Sequence, residues 1–126
     1  MMKLVSINIR GLRGDVKWKY LKELIGKENP RVIFIQETKL VVLNDYKCYN
    51  AWVTNDISWI HRGVNNEGGG ILTMWDNKIF SCCRTEEGKG FILIEGDYKG
   101  VGSSQAVRVV LVNVYAPCFD RDKEVL

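Results

Sequence analysis

Residues 3–39 read KLVSINIRGLRGDVKWKYLKELIGKENPRVIFIQETK, and this stretch decides the fold class. In residues 3–9, apolar Val5, Ile7 and Ile9 alternate with Leu4, Ser6 and Asn8. A period of two in a segment rich in β-branched residues predicts a strand. Gly11 and Gly14 then interrupt the pattern. Asp15 is placed to cap a helix, behind which Val16, Tyr20, Leu21, Leu24 and Ile25 recur at spacings of three and four. Gly26, Asn29 and Pro30 end that helix. RVIFIQ at 31–36 is a nearly continuous apolar run, as expected of a strand covered on both faces. Strand, helix and buried strand within about 35 residues make a βαβ-like start, and therefore an α/β domain.

Beyond Thr38 the pattern predicts mostly strands. Residues 47–54 read as a strand, and the polar stretch from Asn55 to Gly70 as a long loop. GILTMW (70–75) and KIFSCCRT (78–85) read as a hairpin around Asp76-Asn77, a favoured two-residue turn pair. FILIEGDY (91–98) and AVRVVLVNVY (106–115) read as a second hairpin. Pro117 stops the last strand, and FDRDKEVL (119–126) reads as the first turns of a helix. With no repeat, low-complexity tract or linker, 126 residues are one domain's length or a piece of one.

Composition excludes several classes. The chain is 46% hydrophobic and 26% charged with 2 prolines and 12 glycines, which does not fit a disordered or fibrous protein. No apolar run approaches the roughly 18–20 residues of a membrane span. Asn8 and Arg10 fall where a signal peptide would carry its apolar stretch, so an intracellular protein, nuclear or cytoplasmic, is expected. The net charge is +3, but residues 1–39 hold nine Lys and Arg against four Asp and Glu. That basic third could attract phosphate, or Lys17, Lys19, Lys22 and Lys27 could form a solvated helix face. Of the four cysteines, Cys82 and Cys83 are adjacent, and one histidine is present. Neither fact suits a zinc site, and reduced thiols are expected.

Asn8 and Glu37 each stand at the carboxyl end of a predicted strand, where α/β folds place their ligands. A carboxylate and an amide oxygen there are hard donors suited to Mg2+ or Mn2+. The same pair could equally satisfy backbone groups at strand ends. Tyr115 ends another strand, where its hydroxyl could donate to a phosphate oxygen or its ring could simply fill core. Asn113 shares that face and that ambiguity. His61 lies in the polar loop and is expected to face solvent. Gly68-Gly69-Gly70 and Gly88-Lys89-Gly90 lack phosphate-loop spacing and read as turns and strand starts.

SINIRGLRG (6–14), QETK (36–39), GGGILTMWD (68–76) and VNVYAP (112–117), in this order, resemble the endonuclease/exonuclease/phosphatase superfamily. The nearest likeness is to the endonuclease domains of plant LINE-type retrotransposons, which resemble apurinic endonucleases. The resemblance implies the N-terminal half of a four-layer sandwich with a mixed β-sheet and flanking helices. It also implies a single partial domain, truncated at its C-terminus, over residues 1–126. It makes Glu37 the metal-binding glutamate and Asn8 the asparagine beside the metal. Tyr115 becomes the tyrosine on the scissile phosphate, giving catalytic residues Tyr115 and Asn8 and metal residues Glu37 and Asn8. The implied reaction is Mg2+-dependent in-line hydrolysis of a nucleic-acid phosphodiester, most readily in DNA.

The sequence departs from that family at Arg10, where apurinic endonucleases carry an acid, and at Cys118. The Gly-Asp-Phe-Asn and Ser-Asp-His strings are absent. The polypeptide alone is therefore expected to be inactive as an enzyme, a non-catalytic fragment or nucleic-acid-binding module. An uncovered sheet face would favour self-association.

Overall fold

A computed structural model of the chain describes residues 2–52, 56–64, 68–100 and 102–116. β1 (Leu4–Asn8), α1 (Asp15–Glu28) and β2 (Val32–Gln36) form the expected opening unit, with β1 and β2 parallel. All five residues of β2 are buried. Ile33 and Ile35 face the helices, whereas Val32 and Phe34 face a second sheet, which is why the apolar run has no gaps.

α1 differs in detail from its sequence pattern. Its buried stripe is Trp18, Leu21 and Ile25, while Val16 and Tyr20 are 82% and 49% exposed. Trp18 wins the inner position because its indole N–H donates to the Leu12 carbonyl at 3.0 Å, so burial leaves no polar group unpaired. Asp15 does not cap the helix. Gly14 occupies the cap position, and Asp15 pairs with Lys47 in the first turn. Asn29, in the left-handed conformation, closes the other end by donating its N–H to the Ile25 carbonyl.

The strand expected at 47–54 is instead helical. Asn44 accepts the Tyr46 N–H at 2.9 Å and starts α2 (Asp45–Ala51). Cys48 and Ala51, three apart, enter the core beside α1. The loop expected over 55–70 contains β3 (Ile57–Arg62). Ile57 and Trp59 pack toward the helices and Ile60 toward the other side, a period of two that Ser58, His61 and Arg62 obscure in the sequence.

The first expected hairpin is also absent. β4 (Ile71–Asp76) pairs antiparallel with β2 and β3, giving a mixed sheet of order β1-β2-β4-β3. β5 (Phe80–Gly88) belongs to another sheet, of order β5-β6-β7, with β6 (Phe91–Tyr98) and β7 (Val107–Val114). Asp76 and Asn77 turn the chain between the sheets. Asp76 accepts the Lys78 N–H, and Asn77 accepts from Ser58 and the Trp75 indole. The hairpin that exists in this region is β5–β6, closed by Lys89 and Gly90, whose φ of 75° requires glycine. The β6–β7 hairpin is as expected.

Three layers result: helices, the four-stranded sheet and the three-stranded sheet. Val32, Phe34, Ile71 and Trp75 meet Phe80, Ile92 and Ile94 between the sheets. This mixed, two-sheet α/β architecture agrees with part of the expected sandwich. The inner faces cover each other, so the expected uncovered face is not the inner one. Exposed apolar side chains gather instead on β7, at Val107, Val110, Val112 and Val114. The helix expected at 119–126 and Cys118 lie outside the described residues. No helix among those residues is long and apolar enough to cross a membrane.

Candidate active site

Glu37 is the first residue after β2. Its backbone takes φ 58°, and Lys39 takes φ 57°, both left-handed and uncommon outside glycine. Such positions cost about 1–3 kcal/mol each and persist only when surrounding contacts fix them. Here the contacts come from two sides. The N–H groups of Gly11 and Leu12 donate to the carbonyls of Glu37 and Thr38, both at 2.8 Å. Thr38 and Lys39 in turn donate to the carbonyls of Gly70 and Gly69.

Tyr115 follows β7 and is anchored by its N–H on the Gly90 carbonyl at 2.9 Å. Its hydroxyl donates to Glu37 Oε1 at 2.9 Å, across 78 residues of sequence. Asn8, the last residue of β1, stands opposite Gln36 in the ladder. Asn8 is exposed, and its Oδ1 accepts the Arg10 N–H at 3.1 Å, which turns the chain toward Gly11. The carboxyl ends of β1, β2 and β7 therefore carry the three residues the sequence singles out. Tyr115 and Glu37 are in direct contact, and strand register sets Asn8 opposite Gln36, the residue before Glu37. Asn113 resolves as structural. It is fully buried, accepts from Gln36 Nε2 at 2.9 Å, and donates to the Leu72 carbonyl and Thr73 Oγ1.

His61 is not a solvent-facing loop residue. It is half-buried in β3, and its Nε2 lies 3.1 Å from Thr38 Oγ1. Thr38 is itself fully buried, and Gly70 lies against it. A Cβ at Gly70 would come within 2.4 Å of Thr38 Oγ1, and one at Gly69 within 3.2 Å of Glu37 Cγ. The triple glycine therefore gives the Glu37 turn room. Neither Thr38 nor His61 was legible as part of the site, because their pairing requires strands distant in sequence.

Burial pushes the His61 imidazole below its ordinary value of 6.5. The folded protein thus keeps the ring neutral where the unfolded chain protonates it. Stability from this group is complete above that ordinary value and is lost as pH falls below it. Asp15, Glu28 and Glu95, held below the usual carboxylate range chiefly by hydrogen bonds from Lys47, Lys3 and Arg84, stay charged down to about pH 5.5. The urea midpoint is expected to drop between about pH 7.5 and 5.5, and His61→Leu to flatten most of that slope. An equal slope in the variant would assign it elsewhere.

Beside Glu37, Arg10, Gly11, Arg13, Lys17, Lys39, Val64 and Gly69 line an open cleft of about 410 Å³. Two of its cations are tethered to backbone. Lys17 Nζ donates to the Ile9 carbonyl at 2.6 Å, and Arg13 Nε to that of Lys39 at 3.2 Å. Four cations and no carboxylate in the lining make a positive surface for a polyanion. The basic N-terminal third is thus partly gathered at the site, whereas Lys19, Lys22 and Lys27 lie exposed on α1.

Among the described residues no cluster of three or more His, Cys, Asp and Glu side chains could hold a metal. Mg2+ is usually held through one or two carboxylates, with waters and substrate phosphates completing its shell. The Glu37 carboxylate fits that hard-oxygen pattern, while the Asn8 amide oxygen accepts the Arg10 N–H in this structure. Cys48, buried and pushed up to about 12 by desolvation, offers no thiolate.

No protein-family model matches the chain, and no curated protein sequence does. Solved structures do. The catalytic domain of APE2 from Xenopus laevis superposes with TM-score 0.64 at 17% identity, over 97% of this chain and 47% of that one. AP endonuclease LMAP from Leishmania major gives 0.60 at 23% identity, over 90% and 40%. TDP2 from D. rerio complexed with a single-strand DNA product gives 0.58 at 15%, over 98% and 49%.

The chain shares its fold with part of each of these structures. The chain spans less than half the length of each of these structures. Within that fold, Glu37, Asn8 and Tyr115 stand at strand ends on one side of the two sheets.

Proposed function

We propose that residues 1–126 carry the metal- and phosphate-binding side of a Mg2+-dependent phosphodiesterase acting on nucleic acid, DNA foremost. The enzyme would be intracellular and of the plant LINE retrotransposon endonuclease type. The observation that carries this reading is the 2.9 Å hydrogen bond from the Tyr115 hydroxyl to Glu37 Oε1. It joins a carboxylate and a phenol donor from two different sheets at the carboxyl ends of their strands.

Glu37 and Asn8 would hold the divalent cation, Mg2+ or Mn2+, through hard oxygens. The bound cation would supply neutralisation of the charge that develops on the phosphoryl oxygens. Tyr115 can turn its hydroxyl from Glu37 to a phosphate oxygen and fix its position. The cleft of Arg10, Arg13, Lys17 and Lys39 would take flanking phosphates of the strand. Because the Gly-Asp-Phe-Asn and Ser-Asp-His strings are absent, the 126 residues alone are expected to turn over little or not at all.

A second reading, a nucleic-acid-binding module without catalysis, is favoured by the same four-cation cleft. DNA binding by fluorescence anisotropy and nicking of supercoiled plasmid in Mg2+ separate the two. Salt-sensitive binding with nicking at or below detection is the expected result. Metal-dependent nicking that Glu37→Ala abolishes would show these residues to be a complete enzyme. DNA binding with no Glu37-dependent metal uptake would favour the binding module, and failure to bind either would overturn both readings. Self-association through the exposed β7 valines belongs to the same proposal, and a monodisperse monomer in sedimentation would remove it.

A further inference from the structure

We propose that His61 is a positioning residue for Glu37, acting through the Thr38 hydroxyl to hold the Glu37–Lys39 turn in its left-handed conformation. The step to metal affinity rests on the reading that Glu37 is a metal ligand. The clamp itself does not.

The turn has left-handed residues on both sides of Thr38. Glu37 and Lys39 direct their side chains toward the site and the basic cleft, and Thr38 alone of the three is fully buried. Its hydroxyl therefore sits at the centre of the turn, inside the protein. Two groups meet it there: the Leu40 N–H at 3.4 Å and His61 Nε2 at 3.1 Å.

His61 reaches this point from the far side of the sheet. β3 is separated from β2 by β4, and His61 stands opposite Leu72 in the ladder. The path passes Gly70, just before β4, where any Cβ would collide with Thr38 Oγ1. A glycine at φ 91° leaves the space in which the hydroxyl and the imidazole meet. The backbone bonds of the turn run to Gly11, Leu12, Gly69 and Gly70, all in connecting segments. Among the described residues, His61 is the side chain that ties the Thr38 hydroxyl to a regular strand. Core filling at this position would need only an apolar residue, whereas the ring places a nitrogen on the hydroxyl next to Glu37.

The test uses Thr38→Val, which keeps shape but loses the hydroxyl, His61→Leu, and Thr38→Ser, which restores the hydroxyl. His61→Gln is a milder variant should His61→Leu not fold. Amide hydrogen exchange of the unliganded protein reads the clamp directly. Protection of the Gly11, Leu12, Thr38 and Lys39 amides is expected to fall about tenfold in Thr38→Val and in His61→Leu. It should fall no further in the double variant, and should return with Thr38→Ser, while β2 and β4 amides stay unchanged.

Mn2+ affinity, followed by electron paramagnetic resonance, is expected to fall roughly tenfold in the same two variants and recover in Thr38→Ser. Unchanged exchange at the four amides in folded variants would overturn the proposal, as would equal loss throughout β2 and β4. If the unaltered protein takes up no Mn2+, the metal reading of Glu37 falls while exchange still decides the clamp.

Discussion

Asn113→Ala is expected to destabilise the protein by about 3 kcal/mol, seen as a lower urea midpoint with an unchanged slope. Asn113 is fully buried between the sheets, yet every polar atom of its amide is used. It receives the Gln36 amide and donates to the Leu72 carbonyl and the Thr73 hydroxyl. Truncation removes the amide from the Leu72 carbonyl and the Thr73 hydroxyl, leaves Gln36 Nε2 only Ser6 Oγ, and opens a cavity, and each buried polar group left unpaired costs about 1–3 kcal/mol. An exposed control on the same strand, Val110→Thr, should stay within about 0.5 kcal/mol. A loss below about 1 kcal/mol for Asn113→Ala would show that water replaces the amide at little cost. Because Tyr115 lies two residues on, a loosened β7 should also weaken the contact with Glu37.

The second large effect is expected from Glu37→Gln. Glutamine keeps an oxygen to accept the Tyr115 hydroxyl, so stability should change by less than about 1 kcal/mol. Its amide lacks the charge with which Glu37, on the function proposed above, would hold a divalent cation. Mn2+ affinity should therefore drop roughly 100-fold, the equivalent of about 3 kcal/mol. Calorimetric titration with Mn2+ measures this. Equal affinity in the variant would remove Glu37 from the metal site and leave the Tyr115 contact as architecture alone. Tyr115→Phe is the informative companion, since it removes the hydroxyl and spares the carboxylate. Metal affinity should be nearly kept in that variant.

Legibility in the sequence followed the range of the interactions. β1, α1 and β2 could be read because their periodicities are local and the burial of β2 on both faces writes itself as an unbroken apolar run. The β6–β7 hairpin was visible for the same reason. α2 carries no legible helical pattern because its determinants are an Asn44 cap and two small buried residues, Cys48 and Ala51, amid polar neighbours. β3 has the pattern of a loop because its alternation mixes polar residues into both faces. Asp76-Asn77 looked like a hairpin turn, and only the pairing of Asn77 with Ser58 and Trp75 shows the chain changing sheets there.

The site divides in the same way. That Glu37, Asn8 and Tyr115 stand at strand ends is a property of sequence, since strand ends are marked by where apolar alternation stops. That the Tyr115 hydroxyl meets Glu37 and that Asn113 is spent on the core was decided by the packing of sheet on sheet, and that His61 touches Thr38 by strand order within the four-stranded sheet. Those contacts join residues 23 to 78 positions apart. Local pattern suffices for an α/β fold with a carboxylate, an amide and a phenol at strand ends. Which side chains touch depends on strand order, register and layer stacking, which no local pattern encodes.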